Sequence, residues 1–471
     1  MSDNKTEFQK KLLLINVVDT TKVPSQKRFI PIHRLTSFQP IGLAIIAALT
    51  PDYWEIEIVD EDFEEFKYID ADFVGISAYS TSINRAYEIS KRYSEKGIPV
   101  IIGGVHATLY PEETLKHCNS IFIGEAENAW GNVISDFENN SLKPVYEGTF
   151  CDLNKPVKPN RAVFEKYNYE IATIEYSRGC PFNCSFCGVP LASGKKFRHK
   201  PVSAVIQELK EIKQNYVIFK DDNLIGSNQS HKEKVIELLN EIIKNKIKKD
   251  FLCFVSINIA KDESVLKLAR KAGFVLFFIG IESEKIKGIN YINKTVNIEA
   301  ANNYYKESFR KIHKHKIAIT AAFICGFDTD KPSDIDDRAN FIRKSSLDTF
   351  TFTFLTPLPE TPLFISLKNE NRLIYKDFPN DWLYYNFCHL TFQVKNGANE
   401  LFEGRYYEHL DKLHTIRFFN KKFLRSFLNT KSVRTTVAAY VFNKHNHAFL
   451  KKAKFLSFLE KSYKFFKNKQ H

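Results

Sequence analysis

Three cysteines stand at Cys180, Cys184 and Cys187, within the stretch RGCPFNCSFCG. Thiolates are soft ligands, and a loop carrying three of them at this spacing can wrap one metal centre, an iron–sulfur cluster or zinc. A structural zinc site wants a fourth Cys or His close by. The next histidine is His199, and no second cysteine pair follows. Three ligands on a four-iron cube would leave one iron open to a substrate or cofactor. The other five cysteines, Cys118, Cys151, Cys253, Cys325 and Cys388, are scattered singly among apolar residues and read as packing residues.

Other fragments end apolar runs with polar or flexible residues. Downstream of the cysteines these are FKDDN (219–223) and IGIES (279–283). Neighbours on a strand point to opposite faces, so at most one of Asp221 and Asp222 faces a site. Glu282 and Ser283 offer acceptors for a hydroxyl or an ammonium group. Upstream lie GISAYS (75–80), IIGGVHAT (101–108) and IGEAE (123–127), whose glycines allow a ligand close to the backbone. No GxGxxG follows the first apolar run, where residues 17–21 read VVDTT, and this disfavours a dinucleotide site.

The elements that must position these residues fall into three segments. Residues 1–150 alternate β-branched-rich apolar runs (11–19, 55–60, 71–80, 99–106, 120–127) with helical spacing at 40–49 and 83–96. Runs apolar on both faces predict a parallel, doubly wound α/β domain with its ligand edge at the carboxyl ends of the strands. Residues 151–169 form the expected linker, and the whole stretch 146–169 reads as irregular. Residues 170–360 hold six strand-like runs (172–179, 216–221, 250–258, 274–283, 317–327, 349–356) separated by helical stretches. That rhythm predicts a partial (β/α)6 barrel of the TIM type, with chemistry at the carboxyl ends of its strands. Residues 361–471 form an α-rich, basic C-terminal region.

The CxxxCxxC triplet after the first strand of such a barrel resembles the radical S-adenosylmethionine enzymes. The resemblance implies that Cys180, Cys184 and Cys187 hold a [4Fe–4S] cluster, with the amino and carboxylate groups of S-adenosylmethionine on the open iron. It implies contacts to that cofactor from Phe186, Asp222, Glu282 and Ser283, and an external one-electron reductant of the flavodoxin or ferredoxin type. The upstream glycine fragments resemble the Rossmann-like cobalamin-binding domain of one subfamily, which implies that Ser77, Gly103, Gly104, His106, Gly124 and Glu125 line a corrinoid slot. The cobalt-ligating DxHxxG motif of cobalamin domains is absent, since His33 sits in PIHRLTS. The pairing resembles the hopanoid and lipid methylases, which implies methyl transfer to an unactivated carbon, with a lipid as one substrate class. Ring closure and carbon–carbon coupling are the alternative outcomes. A tRNA methylthiotransferase should carry three more cysteines in its first domain, whereas only Cys118 occurs in the first 150 residues. A non-enzymatic iron–sulfur or corrinoid carrier would not need the acidic strand ends.

The LTPLPETPLF stretch (355–364) resembles a subfamily segment with glycine in place of Glu360, which predicts a rebuilt turn there. The chain has 471 residues and a net charge of +13. Residues 401–471 hold 16 Lys/Arg against 4 Asp/Glu, so nearly all of the excess sits there and the first 400 residues are close to neutral. Nucleic-acid binding across the whole surface is therefore not expected. In 447–467, Phe449, Ala453, Leu456, Leu459, Tyr463 and Phe466 follow helical steps between lysines, which suits peripheral contact with an anionic membrane or packing on the barrel. A polar N-terminus without an apolar stretch predicts a cytoplasmic protein, peripheral at the inner membrane face if that helix binds lipid.

Overall fold

The structure, a computed structural model, describes residues 10–18, 38–225, 229–298 and 304–440. The first domain is a sheet of six parallel strands: β1 (Lys10–Asn16), β2 (Trp54–Asp60), β3 (Phe73–Ser77), β4 (Val100–Gly103), β5 (Ser120–Gly124) and β6 (Val145–Gly148). Their spatial order is β2-β1-β3-β4-β5-β6. The sheet is wound on both faces because its strands are apolar on both. Leu12 and Leu14 of β1 join a core with the helices Ile41–Leu49 and Trp130–Glu138, while Leu13 and Ile15 join another with Ile83–Ser94. Chain direction through the sheet reverses between β1 and β3, and the crevice at such a switch point is where doubly wound sheets bind ligands.

Strand β6 corrects the expectation of an irregular stretch from residue 146. It is a short edge strand in which Tyr146 is the buried residue, so no apolar run marks it in sequence. The segment 151–169 is packed down as well: Tyr167 Oη accepts a hydrogen bond from Asp60 N at 2.8 Å, and Phe164 and Tyr169 are buried.

The second domain opens with β7 (Ile171–Ile174) and an antiparallel pair, β8 (Ser177–Arg178) and β9 (Arg198–His199). It continues through β10 (Tyr216–Phe219), β11 (Asp250–Val255), β12 (Phe274–Glu282), β13 (Ala318–Cys325) and β14 (Thr349–Phe354). The order β14-β13-β12-β11-β10-β7 makes a six-stranded, all-parallel, open barrel. Helices return the chain between strands. One of them, Glu263–Ala272, starts where the Asp262 carboxylate accepts from Ser264 N and Val265 N and stops at Gly273, whose φ of 111° suits glycine alone. The free edge of β7 is covered: Phe38 bridges to Ile171, and Arg161 donates to Thr173 O at 2.5 Å.

Alternation along the strands sends Phe251, Cys253, Phe277, Ile279, Ile319 and Ala321 outward into the helix layer. Leu252, Leu276 and Ala318 face the lumen, where Ala438 and Ala439 near the end of the described chain pack against them and close the lower end. Further along the same inner face, Phe254, Phe278, Ala322, Thr351 and Thr353 are only half-buried. The barrel is thus sealed below and open toward the carboxyl ends of its strands. The C-terminal region is helical as expected, with Asn399–Leu413 and Ile416–Thr430. The helix expected at 447–467 lies outside the described residues, as does His33.

Candidate active site at the interface of the two domains

The three cysteines occupy a loop that follows β8 and is tied at several backbone points. Cys180 N donates to Gly194 O at 3.1 Å, Ser185 N to Ile292 O at 3.1 Å, and Leu363 N to Ser185 O at 2.9 Å. Asn293 Nδ2 adds a bond to Asn183 O at 3.1 Å. Gly179 starts the loop with φ of 92°, where a Cβ would come within 2.3 Å of Lys196 O. All three thiols are half-buried, and none of the chain's eight cysteines forms a disulfide. Burial pushes each of the three up to about 11, a shift that bound iron reverses by deprotonating its ligands.

Their spacing bears on what they hold. Thiolates around one tetrahedral zinc, at ~2.3 Å from the metal, would stand only about 3.8 Å apart. Among the described residues, the set of ligand atoms lying within 4.8 Å of one another is Glu125, Glu127 and Cys151, not the loop cysteines. The loop therefore fits a multi-iron cluster better than a single ion. The Glu125 set does not fit a cation, because arginines already fill it.

The acidic strand ends divide as alternation demands. Asp221 turns into the backbone, accepting from Tyr176 N at 3.1 Å and from Ser177 N and Oγ at 2.5 and 2.6 Å, and burial raises its pKa to about 7. Asp222 accepts from Gly179 N at 3.0 Å, beside Cys180, and burial raises it too. Glu282 ends β12 at a register shift with φ of 62°, and its Oε1 lies 2.5 Å from Lys294 Nζ. Burial alone would lower the Lys294 pKa, but Glu282 and the thiols raise it above the usual lysine value. Ser283 is not brought to the cysteines by its hydroxyl, which accepts from Lys285 N at 3.0 Å and Arg338 Nη2 at 3.2 Å. Phe186, next to Cys187, is partly buried against the main core.

A cleft of about 310 Å³ opens at the switch point of the first sheet. Ser77, Gly103, Gly104, Gly124 and Glu125 line it. Glycine is required at Gly104, with φ of 95°, since a Cβ would meet Ala78 O at 2.9 Å. His106 departs from expectation. Its ring is fully buried in the helix Val105–Leu109, with Nδ1 2.9 Å from Ser80 Oγ and Nε2 3.3 Å from Glu113, and it does not line the cleft.

The same cleft is walled on its other side by Glu175, Arg178, Ala192 and Ser193, which flank the cysteine loop. Arg178, two residues before Cys180, joins Glu175, Glu125 and Glu127 at 2.9, 3.1 and 2.6 Å. Arg198 also holds Glu125, at 2.5 Å. Burial alone would raise the Glu125 pKa, but the two arginines hold it down to about 2. Sequence reasoning missed Arg178, Arg198 and Lys294. The first sits in the RGC signature itself, whereas nothing in the stretch KIKGINYINKT marks Lys294.

Residues 28–134 match the B12 binding domain, and residues 174–342 match the radical SAM superfamily. A bacteriochlorophyllide d C-12(1)-methyltransferase of Chlorobaculum tepidum is 30% identical over 383 residues, covering 78% of this chain and 80% of the relative. The chain belongs to the cobalamin-dependent radical S-adenosylmethionine enzymes. The C-8(2)-methyltransferase of the same organism is 28% identical over 432 residues, covering 87% and 92% of the two chains. The cobalamin-dependent radical enzyme OxsB, solved with aqua-cobalamin and S-adenosylmethionine bound, shares the fold at a TM-score of 0.65 and 14% identity, over 97% of this chain and 75% of that one. Membership brings a [4Fe–4S] cluster, S-adenosylmethionine and cobalamin as cofactors. The residues present suit them: three spread thiols for the cluster, a glycine-lined slot for the corrinoid, and facing charges at Glu282 and Lys294 for an amino-acid moiety. No helix among the described residues is long and apolar enough to cross a membrane.

Proposed function

We propose that this enzyme transfers a methyl group to an unactivated carbon of an apolar, ring-bearing molecule held in the barrel mouth. One observation carries the reading: the cleft of the first domain is walled by residues flanking the cysteine loop, so a methyl carrier and a radical source open on one chamber. When bound, the three cofactors supply a carbon-centred radical initiator and a transferable methyl group. The chain's part is to hold them and exclude water. Arg178 and Arg198, holding Glu125 and Glu127 of the first domain, fix the distance between the two domains at the point where the cofactors would meet. Ala438 and Ala439 shut the lower end of the barrel against solvent. Phe254, Phe278 and Ala322 give an apolar wall and Thr351 and Thr353 a few hydroxyls, which suits a largely hydrocarbon substrate. Two relatives are bacteriochlorophyllide d methyltransferases. After anaerobic reconstitution with iron, sulfide and hydroxocobalamin, the desalted protein should keep corrinoid absorbance and, once reduced in the presence of added S-adenosylmethionine, release 5′-deoxyadenosine. Absence of both would refute the reading.

A lipid substrate is the second reading, favoured by one surface. Leu424, Phe427, Leu428 and Val433 are exposed beside exposed Arg417, Lys421 and Lys431, and no Asp or Glu occurs between Asp411 and Glu460. An apolar face rimmed by cations suits the surface of an anionic membrane. Flotation with phosphatidylglycerol vesicles at low salt should carry the protein upward, and the double substitution L424E/L428E should stop it. Equal flotation of both forms, or of neither, would remove the membrane contact.

A further inference from the structure

Phe387 combines two unusual properties. It is 39% exposed, the one exposed residue in the otherwise buried run 385–392. Its φ of 67° lies in the left-handed region, where a bulky side chain persists only if its surroundings enforce it. The flanking residues supply that enforcement. Asn386 Oδ1 accepts from Cys388 N at 3.0 Å and lies 2.9 Å from His389 Nδ1, and Tyr407 Oη donates to Cys388 O at 2.8 Å. The turn is thus held under strain with an apolar side chain in the open, and among the described residues no aromatic ring packs on it.

Backbone pairing places this turn on the barrel. Leu355 N donates to Cys325 O, at the end of β13, at 2.8 Å. Successive amides of a strand point to opposite sides, so Phe354 N, the last of β14, points to the free edge of that strand. There Phe387 O accepts it at 2.8 Å. Leu390, three residues on, packs over Gly326, where a Cβ would come within 2.8 Å of its side chain. The segment therefore crosses the carboxyl ends of β13 and β14, and Phe387 stands on the rim of the mouth at the open side of the barrel. We propose that Phe387 is a substrate-binding residue, its ring being a face against which the apolar part of the substrate lies. Aromatic rings add an offset or edge-on preference for other rings to the area they bury, so this face favours a ring-bearing substrate over a plain hydrocarbon chain. The inference rests on the reading of the barrel mouth as the substrate site.

The test uses full-length wild type, F387G, F387A and F387Y, each reconstituted anaerobically with iron, sulfide and hydroxocobalamin. The substrate source is a serially diluted lipid and pigment extract of cells lacking the gene. Dithionite and S-adenosylmethionine carrying a trideuterated methyl start the reaction, and mass spectrometry reads the labelled product against extract concentration. F387G and F387A should need about tenfold more extract for a half-maximal rate, and F387Y should stay within about twofold of the wild type. Urea unfolding reads the strain separately: F387G should unfold at no lower urea concentration than the wild type and above F387A, because glycine adopts the turn freely. A half-maximal rate of F387G at the wild-type extract concentration would overturn the proposal. So would unfolding of F387G well below the wild type, which would make the ring a packing residue. A wild type that labels nothing in the extract would instead defeat the reading of the barrel mouth as a methylation site.

Discussion

Trp382 Nε1 lies 3.1 and 3.0 Å from the two carboxylate oxygens of Glu113, joining the segment beyond the barrel to the first domain across 269 residues of chain. Tyr87 Oη donates to the same carboxylate at 2.9 Å, and the His106 ring lies edge-on to the indole with centroids 5.3 Å apart. Burial alone would raise the Glu113 pKa, but its partners His106, Trp382 and Tyr87 hold it below the usual carboxylate value. The cluster explains why His106 does not reach the cleft. Its imidazole is taken up by Ser80 and Glu113, the carboxylate that Trp382 grips from the other domain.

W382F keeps an aromatic ring for Phe378, which stacks on the indole at 3.9 Å, but removes the donor. It should cost about 1–3 kcal/mol, and W382A about 3–5 kcal/mol. Urea unfolding followed by near-ultraviolet circular dichroism measures both. Unchanged stability in W382F would mean that the bond to Glu113 does not hold the domains together.

Alanine at any one of Cys180, Cys184 and Cys187 should abolish retention of iron while leaving the far-ultraviolet circular dichroism spectrum intact, because the loop is tied by backbone bonds that do not involve the thiols. Alanine at buried Cys253 or Cys325 should keep iron. Iron and sulfide analysis of the reconstituted variants separates the two groups.

Adjacent glycines in the cleft should behave differently. G104A forces a left-handed φ on alanine and a contact of 2.9 Å with Ala78 O, at a cost of roughly 1–2 kcal/mol. G103A meets only Phe122, at 3.5 Å, and should stay within about 1 kcal/mol of the wild type. Thermal unfolding of both, without corrinoid, checks the order. Equal losses would contradict the backbone argument.

His199 lies 2.6 Å from His231, and burial together with His231 depresses its pKa to about 4. A histidine neutral in the fold but protonated when unfolded makes the fold less stable as pH drops below about 6.5. The contribution is whole above that pH and is lost progressively toward pH 4. Between pH 7.5 and 5 the wild type should therefore lose on the order of 1 kcal/mol relative to H199Q. Parallel stability curves for the two proteins would contradict this.

Much of the architecture is legible in the sequence because parallel strands buried on both faces, such as β1 and β12, leave unbroken apolar runs. Strand β6 leaves none, since it is an edge strand with one buried side chain. Five of the six residues that the resemblance assigned to a corrinoid slot line one cleft, because glycine at a strand end carries a local steric signal. Ser283 and His106 carried no comparable signal: Arg338, far along the chain, and Glu113, in the next short helix, take up their polar atoms. The turn at Glu360 corrects the expectation of rebuilding: Glu360 takes φ of 58°, the conformation a glycine would supply, and Thr361 then caps the helix Pro362–Asn369. Lys294 and Glu282 meet only because the chain folds back after β12, a relation no spacing rule records.

The central claim is methyl transfer, and the label on the methyl group tests it most directly. Source cells with and without the gene, grown on methionine carrying a trideuterated methyl, yield lipid and pigment extracts for comparison by mass spectrometry. The account predicts a compound bearing an intact trideuteromethyl group only when the gene is present, and its disappearance when Cys184 is replaced by alanine. A gene-dependent product that has lost two hydrogens and gained no label would contradict it, and would make the enzyme a ring-forming or coupling catalyst.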